Sequence, residues 1–156
     1  MPEHNYEINT RWTGNLGVGT KRYNLYSRNH LISVKDKPDI LCSSDPSFRG
    51  DKTRYNPEEL LLASLSSCHM LWYLHLSAVN NIVVIDYTDK ATSAMQEDAD
   101  GSGFFTEVKL HPIVIITDAS MTGKAKQLHH DANKMCFIAN SVKFPVKHEA
   151  VIKIAV

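Results

Sequence analysis

The sequence has few cysteines, no net charge and no visible targeting segment, and each of these absences excludes a class of protein. Only three of its 156 residues are cysteine, an odd and sparse number that argues against the disulfide framework of a small secreted domain. The net charge is zero, with seventeen acidic and seventeen basic residues, so we expect no nucleic-acid partner. The polar residues 1–5 predict no signal or transit peptide. We therefore expect a protein of the reducing cytoplasm.

Motifs for nucleotides and metals are missing as well. The chain has no phosphate-binding glycine loop and no Gly-x-Ser-x-Gly element. It has eight histidines, but neither an HExxH motif nor a paired-cysteine knuckle accompanies them. His69 and His75 are six residues apart and fall on different faces of a helix, and the adjacent His129 and His130 are expected to be solvated. We expect no metal and no other cofactor.

The clearest local signal is the segment Asn56-Pro57-Glu58-Glu59, which predicts the start of a long helix. Asn56 suits the N-cap, Pro57 suits the first helical position, and Glu59 stands three residues after the cap. Both glutamates favour the positive end of the helix dipole. We expect this helix to run to about Val79.

After Glu59 the predicted helix contains no acidic residue, lysine or arginine. Leucines and Trp72 make it apolar on every side, and such a helix is typically buried. Serine and histidine interrupt it too often for a membrane span of ~20 predominantly apolar residues. We therefore expect a buried helix and no membrane partner.

The rest of the chain predicts strands and one further helix. Alternating residues predict strands before the long helix, a hairpin over residues 82–117 and a closing strand over residues 146–156. Residues 118–140 have helical spacing and hold Cys136 near their end. Together these elements indicate the α+β class, and we expect a single domain over residues 1–156.

Cys68 lies in the middle of the long helix, and two interpretations of it are open. A buried free cysteine is most often a small core residue. A reactive cysteine needs a lowered pKa, and a mid-helix position gains nothing from the helix N-terminus, so a cation must come from another segment. Arg49 and Arg54 precede the helix, and the planar fork of arginine can hold a thiolate and a carboxylate together.

Glu58 precedes Cys68 by ten residues, which is ~15 Å of rise along one straight helix. One arginine cannot bridge two groups that far apart on the same helix. If Glu58 and Cys68 cooperate, the carboxylate must come from a second copy of the chain, which predicts a dimer with two such helices facing each other. The alternative for Glu58 is simple charge complementarity in the first turn. The other two cysteines also have simple structural interpretations. Cys136 can be an ordinary core residue, and we interpret Cys42 as structural.

The segment from Asn56 to Cys68 resembles the OsmC/Ohr-like family of osmotically inducible and organic hydroperoxide resistance proteins. That family has an NPEEL-type helix start, a first cysteine ten residues after the first glutamate, and a second cysteine one helix later, here Cys136. Two residues depart from the family pattern. Phe137 stands where the family usually has proline, and His69 stands where it usually has an apolar residue or phenylalanine.

The resemblance implies an OsmC-like α+β fold, with antiparallel sheets around a long buried central helix and two chains intertwined as a homodimer. It implies a thiol-dependent peroxidase that reduces organic hydroperoxides or peroxide and is regenerated by a dithiol reductant. Cys68 matches the peroxidatic cysteine, Cys136 the resolving cysteine that forms a disulfide with it, and Glu58 the glutamate that orients an arginine. Arg49 falls closest to the family's arginine, and Arg54 is the alternative.

Two other functions are compatible with these residues. One is a different cysteine-dependent activity, such as thioester hydrolysis by Cys68 with His69 or His75 nearby. The other is a non-catalytic dimeric stress or binding protein of the same fold. Two cysteines, a matching glutamate and an arginine-bearing loop favour the peroxidase, whereas thiols far apart on rigid elements would favour the alternatives.

Overall fold

The computed structural model describes residues 1–156, which divide into two compact units, Met1–Leu61 and Leu62–Val156. The elements in chain order are β1 (Asn9–Trp12), β2 (His30–Ser33), β3 (Ile40–Cys42), α1 (Pro57–Val79), β4 (Val84–Asp89), β5 (Thr92–Glu97), β6 (Gly103–Leu110), β7 (Pro112–Ile116), α2 (Thr122–Met135), β8 (Val146–His148) and β9 (Val151–Ile154). This order confirms the predicted α+β class.

The first unit is built on an antiparallel sheet of three strands in the order β1-β2-β3. The chain between β1 and β2 folds back so that the Trp12 indole N–H donates to the Ser27 carbonyl at 2.8 Å. Gly14 permits this approach, because a Cβ at its position would lie 1.9 Å from the same carbonyl oxygen. The loop after β3 is ordered by a 3-10 turn over Pro46–Phe48, which Asp45 caps by accepting the Ser47 N–H at 2.7 Å.

The second unit contains two mixed sheets, in the orders β4-β7-β9 and β5-β6-β8. The pairs β4–β7 and β5–β6 are antiparallel, as expected from the resemblance. The pairs β7–β9 and β6–β8 are parallel. A parallel pair requires a crossover connection, and α2 lies in the crossover that returns the chain to both sheets.

The predicted hairpin over residues 82–117 is two separate strand pairs. β5 and β6 form a hairpin, whereas β4 and β7 pair in the other sheet. Asp89 stands where the chain changes sheets, and its carboxylate accepts the His111 N–H at 2.7 Å and the Ser66 hydroxyl at 2.5 Å. Periodicity does not reveal the switch, because the sequence keeps a strand pattern on both sides of it.

Helix α1 confirms the long helix predicted from Asn56 onward. Its fully buried residues recur every four positions, at Leu65, His69, Tyr73 and Ser77. Tyr73 packs in the main apolar cluster with strand residues and with Ala125, Leu128 and Ala132 of α2. Leu71 is 62% exposed and Val79 is 61% exposed, so a single chain buries one stripe of α1 and leaves apolar surface on the rest. Neither helix has both the length and the apolar character that a membrane span requires.

Candidate functional site

The start of α1 separates the roles of its two glutamates. The Asn56 side-chain oxygen accepts the Glu59 N–H at 2.8 Å, and the Glu59 carboxylate accepts the Asn56 N–H at 3.1 Å. These reciprocal bonds form a capping box, as the sequence predicts. Glu58 takes no part in it. The Oε2 atom of Glu58 is shielded from solvent and has no hydrogen-bond partner, and an unsatisfied buried acceptor of this kind calls for an explanation.

The two candidate arginines have different surroundings in the first unit. Arg49 is exposed, has a left-handed backbone (φ 64°), and places its guanidinium 6.0 Å from the centre of the Tyr23 ring. Arg54 is 23% exposed at its side chain, and its Nε lies 3.9 Å from a carboxylate oxygen of Asp51. The Nη1 atom of Arg54 is buried and has no hydrogen-bond partner. Arg54 therefore has a shielded donor available for another group, whereas Arg49 is turned towards water.

Cys42 lies in the same unit as Arg54 and is fully buried at the end of β3. Burial raises the pKa of the Cys42 thiol, and the positive charge of Arg54 opposes that rise. The Cys42 S–H donates to the Ile40 carbonyl of the same strand at 3.6 Å. This environment agrees with the interpretation of Cys42 as a structural residue.

The second unit brings Cys68 and Cys136 together. Cys68 is half-buried in the middle of α1, and Cys136 is 1% exposed directly after α2. Both thiols are free. Burial, together with a smaller contribution from a hydrogen bond and a charge interaction with the neighbouring Cys68 thiol, raises the pKa of Cys136 to about 11, although backbone hydrogen bonds from Ala139 and Ile138 oppose the rise. Two thiols this close, one reachable and one shielded, can be converted into a disulfide.

The surroundings of Cys136 differ from the prediction that it lies within the second helix. Helix α2 ends at Met135, and Cys136 is its C-cap with an extended backbone (φ −66°, ψ 111°). The Cys136 carbonyl accepts the Asn140 N–H at 3.0 Å, and the Ala139 N–H donates to the Cys136 sulfur at 3.4 Å. The thiol is therefore fixed by a tight turn at the end of α2.

An apolar depression lies along the same face of α1 as Cys68. Leu71, Trp72 and His75 line a cavity of about 220 Å³. These residues follow Cys68 by three, four and seven positions, the spacing that places side chains on one helix face. The exposed surface next to the reachable thiol is therefore mainly apolar, which suits an organic molecule better than a charged one.

His69 faces away from this surface and belongs to a buried histidine cluster. Its Nε2 lies 3.0 Å from Nδ1 of His129, and the two rings are stacked with centres 5.4 Å apart. The His148 ring lies 5.6 Å from His69, and the Tyr73 ring stacks on His129 at 3.9 Å. Burial lowers the pKa of His69 to about 4 and that of His129 to about 3. His69 and His129 are thus neutral above pH 5.

The cluster corrects one expectation from the sequence. His129 was expected to be solvated beside His130, but it is fully buried. The signal that identifies it is helical spacing, since His129 shares a face of α2 with the buried Ala125 and Ala132. No group of three or more histidine, cysteine, aspartate or glutamate side chains is arranged to hold a metal ion.

Neither histidine near Cys68 in sequence is placed to activate it. His69 points its Nε2 at His129, and His75 is exposed and packs edge-to-face on Trp72 at 5.7 Å. General-base activation of a thiol requires an imidazole within hydrogen-bond reach. The geometry therefore gives no support to thioester hydrolysis with either histidine as the base.

Comparisons with known proteins identify the family to which this fold belongs. Residues 50–151 match the family model described as OsmC-like protein. An OsmC-like protein of unknown function from Vibrio cholerae is 32% identical, with a TM-score of 0.84 over 97% of this chain and 100% of that one. No curated protein matches the chain.

Two more distant structures share the fold. An organic hydroperoxide resistance protein from Elizabethkingia anophelis is 17% identical, with a TM-score of 0.68 over 99% of this chain and 100% of that one. An organic hydroperoxide resistance protein from Legionella pneumophila is 18% identical, with a TM-score of 0.67 over 97% of this chain and 99% of that one. The OsmC-like fold expected from the helix motif is confirmed.

Proposed function

The chain belongs to the OsmC-like family, and we propose that it is a thiol-dependent peroxidase in which Cys68 reduces a hydroperoxide and Cys136 then closes a disulfide with it. The observation that carries the proposal is the pairing of a reachable thiol with a shielded one in the same unit. Cys68 is half-buried whereas Cys136 is 1% exposed, so Cys68 is the thiol that a substrate meets first. Distant relatives with the same fold are organic hydroperoxide resistance proteins.

The proposed cycle has three balanced steps. The Cys68 thiolate attacks the outer oxygen of the hydroperoxide, the O–O bond breaks, and the alkoxide takes a proton to leave as the alcohol. Cys68 is then a sulfenic acid. The Cys136 sulfur attacks the Cys68 sulfur, its proton leaves with the hydroxyl group as water, and the disulfide forms. An external dithiol reduces that disulfide by thiol exchange and is itself oxidised.

Glu58 and an arginine are the proposed supports of the Cys68 thiolate. The shielded, unpartnered Oε2 of Glu58 suits a guanidinium that is supplied on assembly. The resemblance favours Arg49 as that arginine. The shielded and unpartnered Nη1 favours Arg54, and we propose Arg54 on this ground, with Arg49 as the alternative.

A homodimer is part of the proposal. Glu58 and Cys68 lie ten residues apart on the continuous helix α1, a rise of ~15 Å, so one arginine needs a second chain to serve both. Leu71 and Val79 leave apolar surface of α1 uncovered in one chain, and obligate interfaces typically bury such surface. We also propose a single functional domain that works in the cytoplasm.

The dimer, and a site shared between its two chains, are tested by mixing two inactive variants. Inactive Glu58→Ala and Cys68→Ser chains, unfolded and refolded together, should regain activity in mixed dimers, because one site then holds both intact residues. A monomer at micromolar concentration in light scattering would contradict the dimer. A dimer whose mixed variants stay inactive would place Glu58 and Cys68 of each site on one chain.

The enzymatic proposal is tested by peroxide consumption. Purified protein is assayed with an organic hydroperoxide and with hydrogen peroxide, using a panel of dithiol reductants. We expect Cys68→Ser to abolish turnover and Cys42→Ser, the matched control, to retain it. Equal loss in both variants with the fold intact would reject the assignment of Cys68, and absence of turnover in the wild type with every dithiol would favour the non-catalytic alternative.

A further inference from the structure

Phe137 is an exposed aromatic residue next to a shielded cysteine. It is 67% exposed, whereas the preceding Cys136 is 1% exposed. Its ring meets the Trp72 ring edge-to-face, with centres 5.6 Å apart and an interplanar angle of 87°. Edge-to-face contacts at this separation are favourable beyond the area they bury. The principal interaction of this exposed ring is therefore with Trp72.

Trp72 is itself firmly held. It follows Cys68 by four residues and so lies one helical turn away on the same face of α1. Its ring packs against the main apolar cluster and meets His75 edge-to-face at 5.7 Å. The contact between Trp72 and Phe137 therefore joins a fixed point next to Cys68 to the residue that follows Cys136.

The backbone around Phe137 is fixed on both sides. Before it, the Cys136 carbonyl accepts the Asn140 N–H at 3.0 Å. At Phe137 itself, the carbonyl accepts the Ser141 hydroxyl at 2.7 Å. Because these bonds hold the turn together, contact of the Phe137 ring with Trp72 restrains the turn, and Cys136 with it, relative to α1. Holding the ring on Trp72 thus also holds the Cys136 sulfur beside Cys68.

We propose that Phe137 is a positioning residue that clasps Trp72 and thereby speeds closure of the disulfide between Cys136 and Cys68. The proposal rests on the peroxidase function proposed above and concerns only its second step. In that step the Cys136 sulfur displaces the hydroxyl group of the Cys68 sulfenic acid, which leaves as water with the Cys136 proton. A second molecule of hydroperoxide competes for the same sulfenic acid and oxidises it to sulfinic acid. Slower closure therefore means more overoxidation.

The test separates the two steps of the reaction. Phe137→Ala removes the clasp, Phe137→Tyr keeps an aromatic ring, and Phe104→Ala removes an exposed phenylalanine elsewhere in the second unit as a matched control. The rate of Cys68 oxidation and the rate of disulfide closure are measured by rapid quenching and mass spectrometry. Loss of an edge-to-face pair corresponds to a closure rate about two- to tenfold lower. We expect that decrease in Phe137→Ala only, with overoxidation at correspondingly lower peroxide and an unchanged rate of first oxidation.

The other possible results contradict either the role of Phe137 or the peroxidase cycle. Closure in Phe137→Ala at the wild-type rate would overturn the clasp and leave the peroxidase standing, since the wild type still forms its disulfide. Absence of disulfide in the wild type would refute the peroxidase cycle itself. If Phe137→Ala unfolds, Phe137→Leu keeps apolar volume without the ring and is expected to close more slowly than Phe137→Tyr. Equal slowing of both steps in either variant would show that Phe137 supports the fold rather than closure, and would overturn the proposal.

Discussion

The buried pair of His69 and His129 predicts a loss of stability in mild acid. Both side chains are buried and bond each other, so neither has a negatively charged partner in direct contact. Burial and the neighbouring His148 lower the pKa of His69 to about 4, and burial, His69 and His148 lower that of His129 to about 3. Asp89 opposes this effect at His69, but burial outweighs it. Protonation of either ring would leave a buried charge, which is costly.

The sign and the size of the effect follow from proton linkage. In the unfolded chain each histidine binds a proton below a pKa of about 6.5, whereas in the folded chain it does not until pH about 4 or 3. Stability is therefore highest above pH 6.5, falls as the pH drops below that value, and stops falling below the folded pKa values. At pH 4.5 the loss is about 2.5 kcal/mol for each histidine, or about 5 kcal/mol for the pair. That is comparable with the whole stability of many domains, ~5–15 kcal/mol.

The assay is urea unfolding between pH 8 and pH 4.5, at fixed protein concentration and with a reductant present. The double variant His69→Leu/His129→Phe replaces both partners with apolar groups, and His75→Gln removes an exposed histidine as the control. We expect wild type and control to lose about 5 kcal/mol more than the double variant over this range. Burial also lowers the pKa of the half-buried His148. His148 therefore contributes to the pH dependence of the unfolding free energy that remains in every variant. An identical pH dependence in wild type and double variant would refute the reasoning.

Three further predictions concern the site and its helix. Cys136→Ser should complete the first oxidation but not the cycle, so that mass spectrometry after one equivalent of peroxide shows an added oxygen on Cys68; normal turnover would show that Cys136 is not the resolving thiol. Arg54→Lys should lower the rate of Cys68 oxidation at least tenfold, ~1.4 kcal/mol, while Arg49→Lys leaves it nearly unchanged; the reverse order in stopped-flow kinetics would restore Arg49 as the arginine. Asn56→Ala should cost ~1 kcal/mol of unfolding free energy by removing the cap of α1, and an unchanged urea midpoint would contradict the capping box.

Structural features that depend only on neighbouring residues could be predicted from the sequence. The start of α1 depends on four consecutive residues whose side chains bond the backbone beside them, so Asn56 and Glu59 identify it without any tertiary information. The end of that helix at Val79 is marked by the two asparagines that follow it. The assignment of Cys68 and Cys136 to one site came from a family pattern, which carries tertiary information that spacing alone does not.

Features that depend on long-range contacts could not be predicted. The change of sheet at Asp89 depends on hydrogen bonds to Ser66 and His111, which are far away in sequence. The contacts that join His129 to His69 and Tyr73 cross between two helices, so no local pattern contains them. The end of α2 before Cys136 has no glycine or proline to mark it, and is set by the turn that bonds the Cys136 carbonyl and sulfur.

Mass spectrometry of the reduced wild-type protein after one equivalent of an organic hydroperoxide tests the two-cysteine cycle most directly. We expect the loss of two hydrogens and, after digestion without reductant, a peptide pair joined through Cys68 and Cys136, with Cys42 still a free thiol. That expectation rests on the adjacency of the two thiols and the shielding of Cys136. A stable added oxygen on Cys68, a disulfide that includes Cys42, or three unchanged thiols would contradict it.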